Sequence, residues 1–137
     1  MAADFSAFAV TSASTQTAKY VVAAGEEITA GMWVNTQSGE AYEAYASSTN
    51  NPVVGMAMTG GIGNNGDYVI VITAGEIDPT LDGTLDYGCV YLAEATTQMT
   101  DDADTDLAGG NYLHILGYYT STGSFVIDIT NTGKTIA

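Results

Sequence analysis

Hydrophobic and polar positions alternate along this chain in short runs rich in Val, Ile, Thr and Tyr, most of them bounded by glycine, and no stretch sustains a helical period. The runs predict strands over residues 19–24, 32–35, 53–58, 67–74, 88–93, 112–120 and 125–130. Residues 40–45, where small or aromatic residues alternate with Glu40 and Glu43, suit a strand or one short helix. The most apolar run, Tyr68-Val69-Ile70-Val71-Ile72, is short and β-branched and reads as a central strand buried on both faces.

Between the runs, residues 25–31 read as a turn anchored by Ile28, Ser38-Gly39 as a tight turn, and 47–52 as a polar loop. Gly55 marks a bulge or a close backbone approach. Residues 75–83 read as a turn region with Ile77 and Leu81 facing inward, 99–110 as an acidic loop, and 121–124 as the link between the closing strands. About eight short strands with such spacing predict an all-β fold, a small β-sandwich or β-barrel over residues 19–137. Residues 1–18 differ: Ala, Ser and Thr dominate and only Phe5, Phe8 and Val10 add bulk, the composition of a flexible N-terminal arm that orders on contact with a partner.

Composition narrows the function. The chain has 137 residues, the length of one domain, and its 46% hydrophobic content lies far from the signature of disorder. Against 16 Asp and Glu stand only Lys19 and Lys134, a net charge of −14. Two cations cannot build the basic stripe that neutralises phosphates, so nucleic acid and anionic membrane are excluded as expected partners. Residues 1–17 lack a basic start and a long apolar core, and no run of about eighteen apolar residues occurs, so a soluble product made in the cytoplasm is expected.

Candidate chemistry is sparse. A catalytic site brings different titratable groups into one cleft, and the single histidine, His114, lies between Leu113 and Ile115 in a predicted strand with no nucleophile-elbow motif to accompany it. Asp101, Asp102, Asp104 and Asp106 begin with the spacing of a calcium loop, but Leu107 and Leu113 stand where the turn glycine and the bidentate glutamate belong. Residues 60–66 are glycine-rich without the lysine of a phosphate loop. Cys89, in Cys89-Val90-Tyr91-Leu92, is expected to be buried as a small hydrophobe. Of the nine tyrosines, Tyr68, Tyr91 and Tyr112 are expected as core or cross-strand partners, whereas Tyr42, Tyr45, Tyr118 and Tyr119 are less constrained and suit stacking on sugars. Trp33 fits a buried anchor and an interface residue equally well. No catalytic residue, cofactor or metal is expected.

Several of these segments line up as a phrase. Gly25-Glu26-Glu27-Ile28-Thr29-Ala30-Gly31-Met32-Trp33-Val34, then Asn51-Pro52-Val53-Val54-Gly55-Met56-Ala57, then Gly66-Asp67-Tyr68-Val69-Ile70-Val71-Ile72-Thr73-Ala74-Gly75 resemble the first half of small tailed-phage head decoration proteins. Leu85-Asp86-Tyr87-Gly88-Cys89-Val90-Tyr91-Leu92 and Tyr112-Leu113-His114-Ile115-Leu116-Gly117-Tyr118 are similar to the second half. The resemblance is to the lambda-type and phage-21-like trimeric proteins and covers roughly residues 20–129. It implies a capsid cement protein on the outer surface of the virion, without catalysis, binding the major capsid protein of the expanded head as homotrimers at three-fold and quasi-three-fold positions. It also implies that the N-terminal segment reaches the shell and adds a strand there, with Phe5, Phe8 and Val10 as the capsid contacts. The same phrase occurs in tail fibres, which keeps a receptor-binding or carbohydrate-binding domain as the alternative.

Overall fold

A computed structural model describes residues 18–44, 52–63, 66–92, 99–102, 107 and 109–136, with the backbone alone for residues 2–10 and Asp82. The described residues are all-β and contain no helix. Ten strands form one sheet: β1 Ala2–Val10, β2 Ala18–Ala24, β3 Trp33–Gln37, β4 Glu40–Glu43, β5 Gly55–Ala57, β6 Tyr68–Gly83, β7 Gly88–Leu92, β8 Met99–Thr100, β9 Tyr112–Tyr119 and β10 Phe125–Thr135. Residues 40–43 are therefore strand, and β3 turns into β4 through Ser38 and Gly39 at φ 52° and 78°. Positive φ at both central residues suits the twist of a two-residue hairpin.

The sheet closes on itself twice, and β6 belongs to both closures. In one ring β6 pairs with β2 and β5, and β2, β4, β3 and β5 complete the circuit. In the other ring β6 pairs with β1 and β10, and β1, β8, β7, β9 and β10 complete it. The first half of β6 serves the small ring, from Tyr68 paired with Ala23 to Ile72 paired with Met56 and Lys19. The second half serves the large ring, from Ile77 paired with Val10 and Phe125 to Gly83 paired with Ala3.

This long strand corrects the turn expected over residues 75–83. Gly75, at φ 125°, holds a conformation that L side chains rarely adopt, but its pairing with Ile127 of β10 carries the strand through it, from Ala74 beside β2 to Ile77 beside β1. Ile77 is fully buried there and Leu81 packs on the core, as their inward assignment required. The expected polar loop over 47–52 lies almost wholly outside the described residues.

Alternation divides β3, β5 and β6 between two apolar clusters, and β2 and β4 add to one of them. Val22, Ala24, Ile28, Val34, Ala41, Ala57, Val69 and Val71 fill the interior of the small ring. Trp33, Met56 and Ile72 point the other way and join Ile77, Val90, Leu92, Met99, Leu116, Phe125 and Ile127 in the main core. Trp33 lies 5.9 Å from the ring of Phe125 and is completely buried, which settles it as an anchor between the rings. Each such fully buried side chain contributes about 1.5–3 kcal/mol. Gly55 is a close backbone approach, since a Cβ there would meet the Ile72 carbonyl oxygen.

Residues 2–10 lie within the sheet of their own chain. Phe5, Phe8 and Val10 stand opposite Leu81, Pro79 and Ile77 in the β1–β6 register. Residue 18, the boundary expected between arm and domain, is the first residue of β2.

Candidate functional site

The expected capsid contacts fall on β1, whose two edges differ. One edge pairs with β6 from Ala3 to Val10. The other pairs with β8 only at Ala2 and Ala3, opposite Thr100 and Met99, and beyond them residues 4–10 have no further strand beside them among the described residues. An edge of this kind presents backbone N–H and C=O groups that another strand can pair with. Asp4 is the single charged residue along it.

Two outward sheet faces carry apolar side chains. On the small ring, Val21 is 64% exposed and Tyr68 67%, and Val21 pairs across to the half-buried Ile70. Of the two expectations for Tyr68, core or cross-strand partner, it takes the second, opposite Ala23, and its exposure corrects the reading of the whole 68–72 run as buried on both faces: β6 is so buried at Val71 and Ile72, but its Tyr68 end extends past the main core. On the large ring, Cys89 pairs with Tyr118, and Tyr118 with Val126. Cys89 is exposed, against the expectation of burial, because Val90 and Leu92 take the inward positions of β7 and the period of two turns Cys89 outward. Tyr87, 67% exposed, leans on Tyr119 with ring centroids 5.8 Å apart.

His114 is fully buried on β9, stacked on Tyr112 at 6.4 Å, and neither ring nitrogen reaches a partner in hydrogen-bond geometry. Burial pushes its pKa below the ordinary value, against a smaller opposite pull from Asn131 across the strand pair. Asn131 has a second task. Its Oδ1 accepts from the Val53 N–H at 2.9 Å and its Nδ2 donates to the Val53 carbonyl at 3.0 Å, tying β10 to the segment that enters β5. His114 thus sits beside a joint between the rings, in surroundings suited to a neutral imidazole.

Of the acidic cluster, Asp104 and Asp106 lie outside the described residues. Asp101 accepts a hydrogen bond from the Asp86 N–H at 2.5 Å. Burial raises its pKa, but hydrogen bonds including this one outweigh that and hold the carboxyl below its usual range. Burial also pushes the Tyr20 phenol up. Among the described residues no group of three His, Cys, Asp or Glu side chains could hold a metal ion, and no helix is long and apolar enough to cross a membrane.

Sequence reasoning places the expected capsid contacts on one segment but gives no hint of the Asn131 clamp, for which a lone Asn in a Thr-rich strand carries no signal. Comparison of the chain with protein-family models, with curated proteins and with solved structures gives no match.

Proposed function

We propose that this protein is a head decoration protein of the tailed-phage cement type, acting by binding alone, as homotrimers at three-fold and quasi-three-fold positions of the expanded shell. The observation that carries the reading is the edge of β1 over residues 4–10, to which a strand of the major capsid protein can add. Phe5, Phe8 and Val10 lie on that segment. The sequence resemblance supplies the shell as the partner, and the charge of −14 supports an outward-facing body that keeps particles apart in solution. With only Lys19 and Lys134 available, adhesion to the shell rests on backbone pairing and apolar contact. Weak contacts suffice for this task, because an assembly engaged at several points gains avidity over any single contact.

The test is co-sedimentation of the purified protein with undecorated heads in expanded and unexpanded forms. Saturable binding to expanded heads alone is expected, and equal binding to both forms, or to neither, overturns the reading. The tail-fibre alternative draws on the exposed Tyr68, Tyr87 and Tyr118, whose rings are available for stacking on sugars. It predicts that labelled protein adheres to host cells and is displaced by their surface glycans.

A further inference from the structure

His114 is the one histidine of the chain, and its side chain is completely buried on β9 with neither ring nitrogen in hydrogen-bond geometry with the described residues. A neutral imidazole carries one donor and one acceptor, whereas a protonated one carries two donors and a charge. The surroundings of the ring decide whether the second form can stay inside. From its own strand Tyr112 stacks on it at 6.4 Å. From β7 the inward residues are Val90 and Leu92, and the segment entering β5 brings Pro52, Val53 and Val54. β10 carries Asp128 and Lys134, both exposed, and no charge acts on the ring from either. An imidazolium here meets no carboxylate among the described residues, and a buried charge left unpaired is costly.

The residue opposite the ring is Asn131, its cross-strand partner in the β9–β10 register and the one neighbour that favours the charged form. The Asn131 carboxamide is held at both ends by Val53: Oδ1 accepts from the N–H at 2.9 Å and Nδ2 donates to the carbonyl at 3.0 Å. Two bonds to one residue fix the amide, and so fixed its oxygen is out of hydrogen-bond geometry with His114. The next residue, Val54, donates to the Val34 carbonyl of β3 at 2.9 Å. The pairing of β10 with β6 ends at Asp128, so Asn131 ties the far half of β10, in the large ring, to a segment that the small ring holds. A charged donor makes a hydrogen bond about twice as strong as a neutral one. To reach the Asn131 oxygen, it must turn the amide away from Val53.

We infer that His114, Asn131 and Val53 form a proton-operated latch between the two rings: while the imidazole is neutral the carboxamide stays on Val53, and when it is protonated the carboxamide turns to His114 and frees the Val53 N–H. Burial keeps the ring neutral at neutral pH, so the latch is closed there and opens on the acid side. It lies within one chain and requires no shell, so it stands or falls apart from the proposed function.

Nuclear magnetic resonance of the full chain, titrated from about pH 7.5 to about pH 5, tests this directly. The ring carbons report the His114 midpoint, and the Val53 amide and the Asn131 side-chain amide are expected to shift with that same midpoint, below about 6.5. Protection of the Val53 amide, corrected for intrinsic exchange, is expected to fall by about tenfold over that range while that of Val69 holds. His114→Leu should abolish the Val53 response. Asn131→Asp supplies a carboxylate that can accept from the ring and from the Val53 N–H together, so the His114 midpoint should rise and the Val53 amide should stay protected in acid. Three results overturn the inference: a ring that titrates while the Val53 and Asn131 signals stay still, a ring that remains neutral until the whole chain unfolds, or a Val53 response that survives in His114→Leu. The first two are read in the unaltered chain, so they decide even where a variant does not fold.

Discussion

The two rings share β6 and solve the closure of a sheet in different ways. The small ring closes around an interior of small and β-branched side chains, Val22, Ala24, Val34, Ala41, Ala57, Val69 and Val71 among them. The large ring is filled by bigger groups, Phe125, Leu92, Met99 and Leu116, yet part of its circuit passes through β8, a strand of two residues. It also carries β1, whose residues 4–10 have no strand along their second edge among the described residues. On the proposed function the division of labour is that the small ring holds the shape and the large ring carries the edge offered to the shell. In the sense of local opening, working surfaces are drawn from the less stable part of a fold.

The strongest way to break the comparison is at the joint between the rings. Trp33→Ala removes the indole from the face where the small ring meets Phe125, and a loss of about 3–5 kcal/mol is expected in urea unfolding. Gly117→Ala strikes the large ring alone. Gly117 holds φ 149° and a Cβ there would run into the Val126 carbonyl oxygen, so strain and overpacking together are expected to cost on the order of 3 kcal/mol. Hydrogen exchange sharpens the result: in that variant the amides of Val69 and Val71 should keep their protection while those of β9 and β10 lose theirs. Uniform loss along both rings would mean that they do not behave as two units.

Asn131→Ala tests the clamp itself. Losing both hydrogen bonds to Val53 is expected to cost about 1–3 kcal/mol, with faster exchange at the Val53 amide as the local readout.

Acid should loosen the same neighbourhood. Because burial lowers the His114 pKa, the unfolded chain takes up the proton first. His114 therefore costs no stability above its ordinary pKa of about 6.5. Stability falls as the pH drops from there toward the lowered folded value, by at most about 1.4 kcal/mol per pH unit. His114→Leu should flatten the melting temperature between about pH 7.5 and pH 5.5, a window above most carboxylate titration.

The smallest expected effect lies in the small ring. Ser38→Asn places a residue tolerant of positive φ in the β3–β4 turn and should stabilise the fold by about 0.5 kcal/mol, read as a small rise in melting temperature.

These sites also show how much of the molecule was legible in its sequence. Local alternation and glycine punctuation located the cores of β2, β3, β5, β7, β9 and β10 and the Ser38-Gly39 turn, because those signals depend on neighbours in the chain. The path of β6 is not legible at Gly75, since a glycine reads as a turn until a distant partner, Ile127 of β10, carries the strand through it. Cys89 reads as an inside residue, and the run from Tyr68 to Ile72 as buried throughout, because an apolar residue in an apolar run carries no mark of which face will be covered. That choice belongs to the docking of one ring on the other, which is set by pairings distant in sequence. For the candidate site, Phe5, Phe8 and Val10 were legible as one segment, but the β1 edge exists only through pairings with residues about seventy positions or more away.

A cryo-electron reconstruction of undecorated expanded heads incubated with the protein tests the central claim most directly. The account predicts density at the three-fold and quasi-three-fold positions, with β1 against the shell and a capsid-protein strand alongside residues 4–10. Heads without added density, or bound protein with β1 turned to solvent, would contradict it.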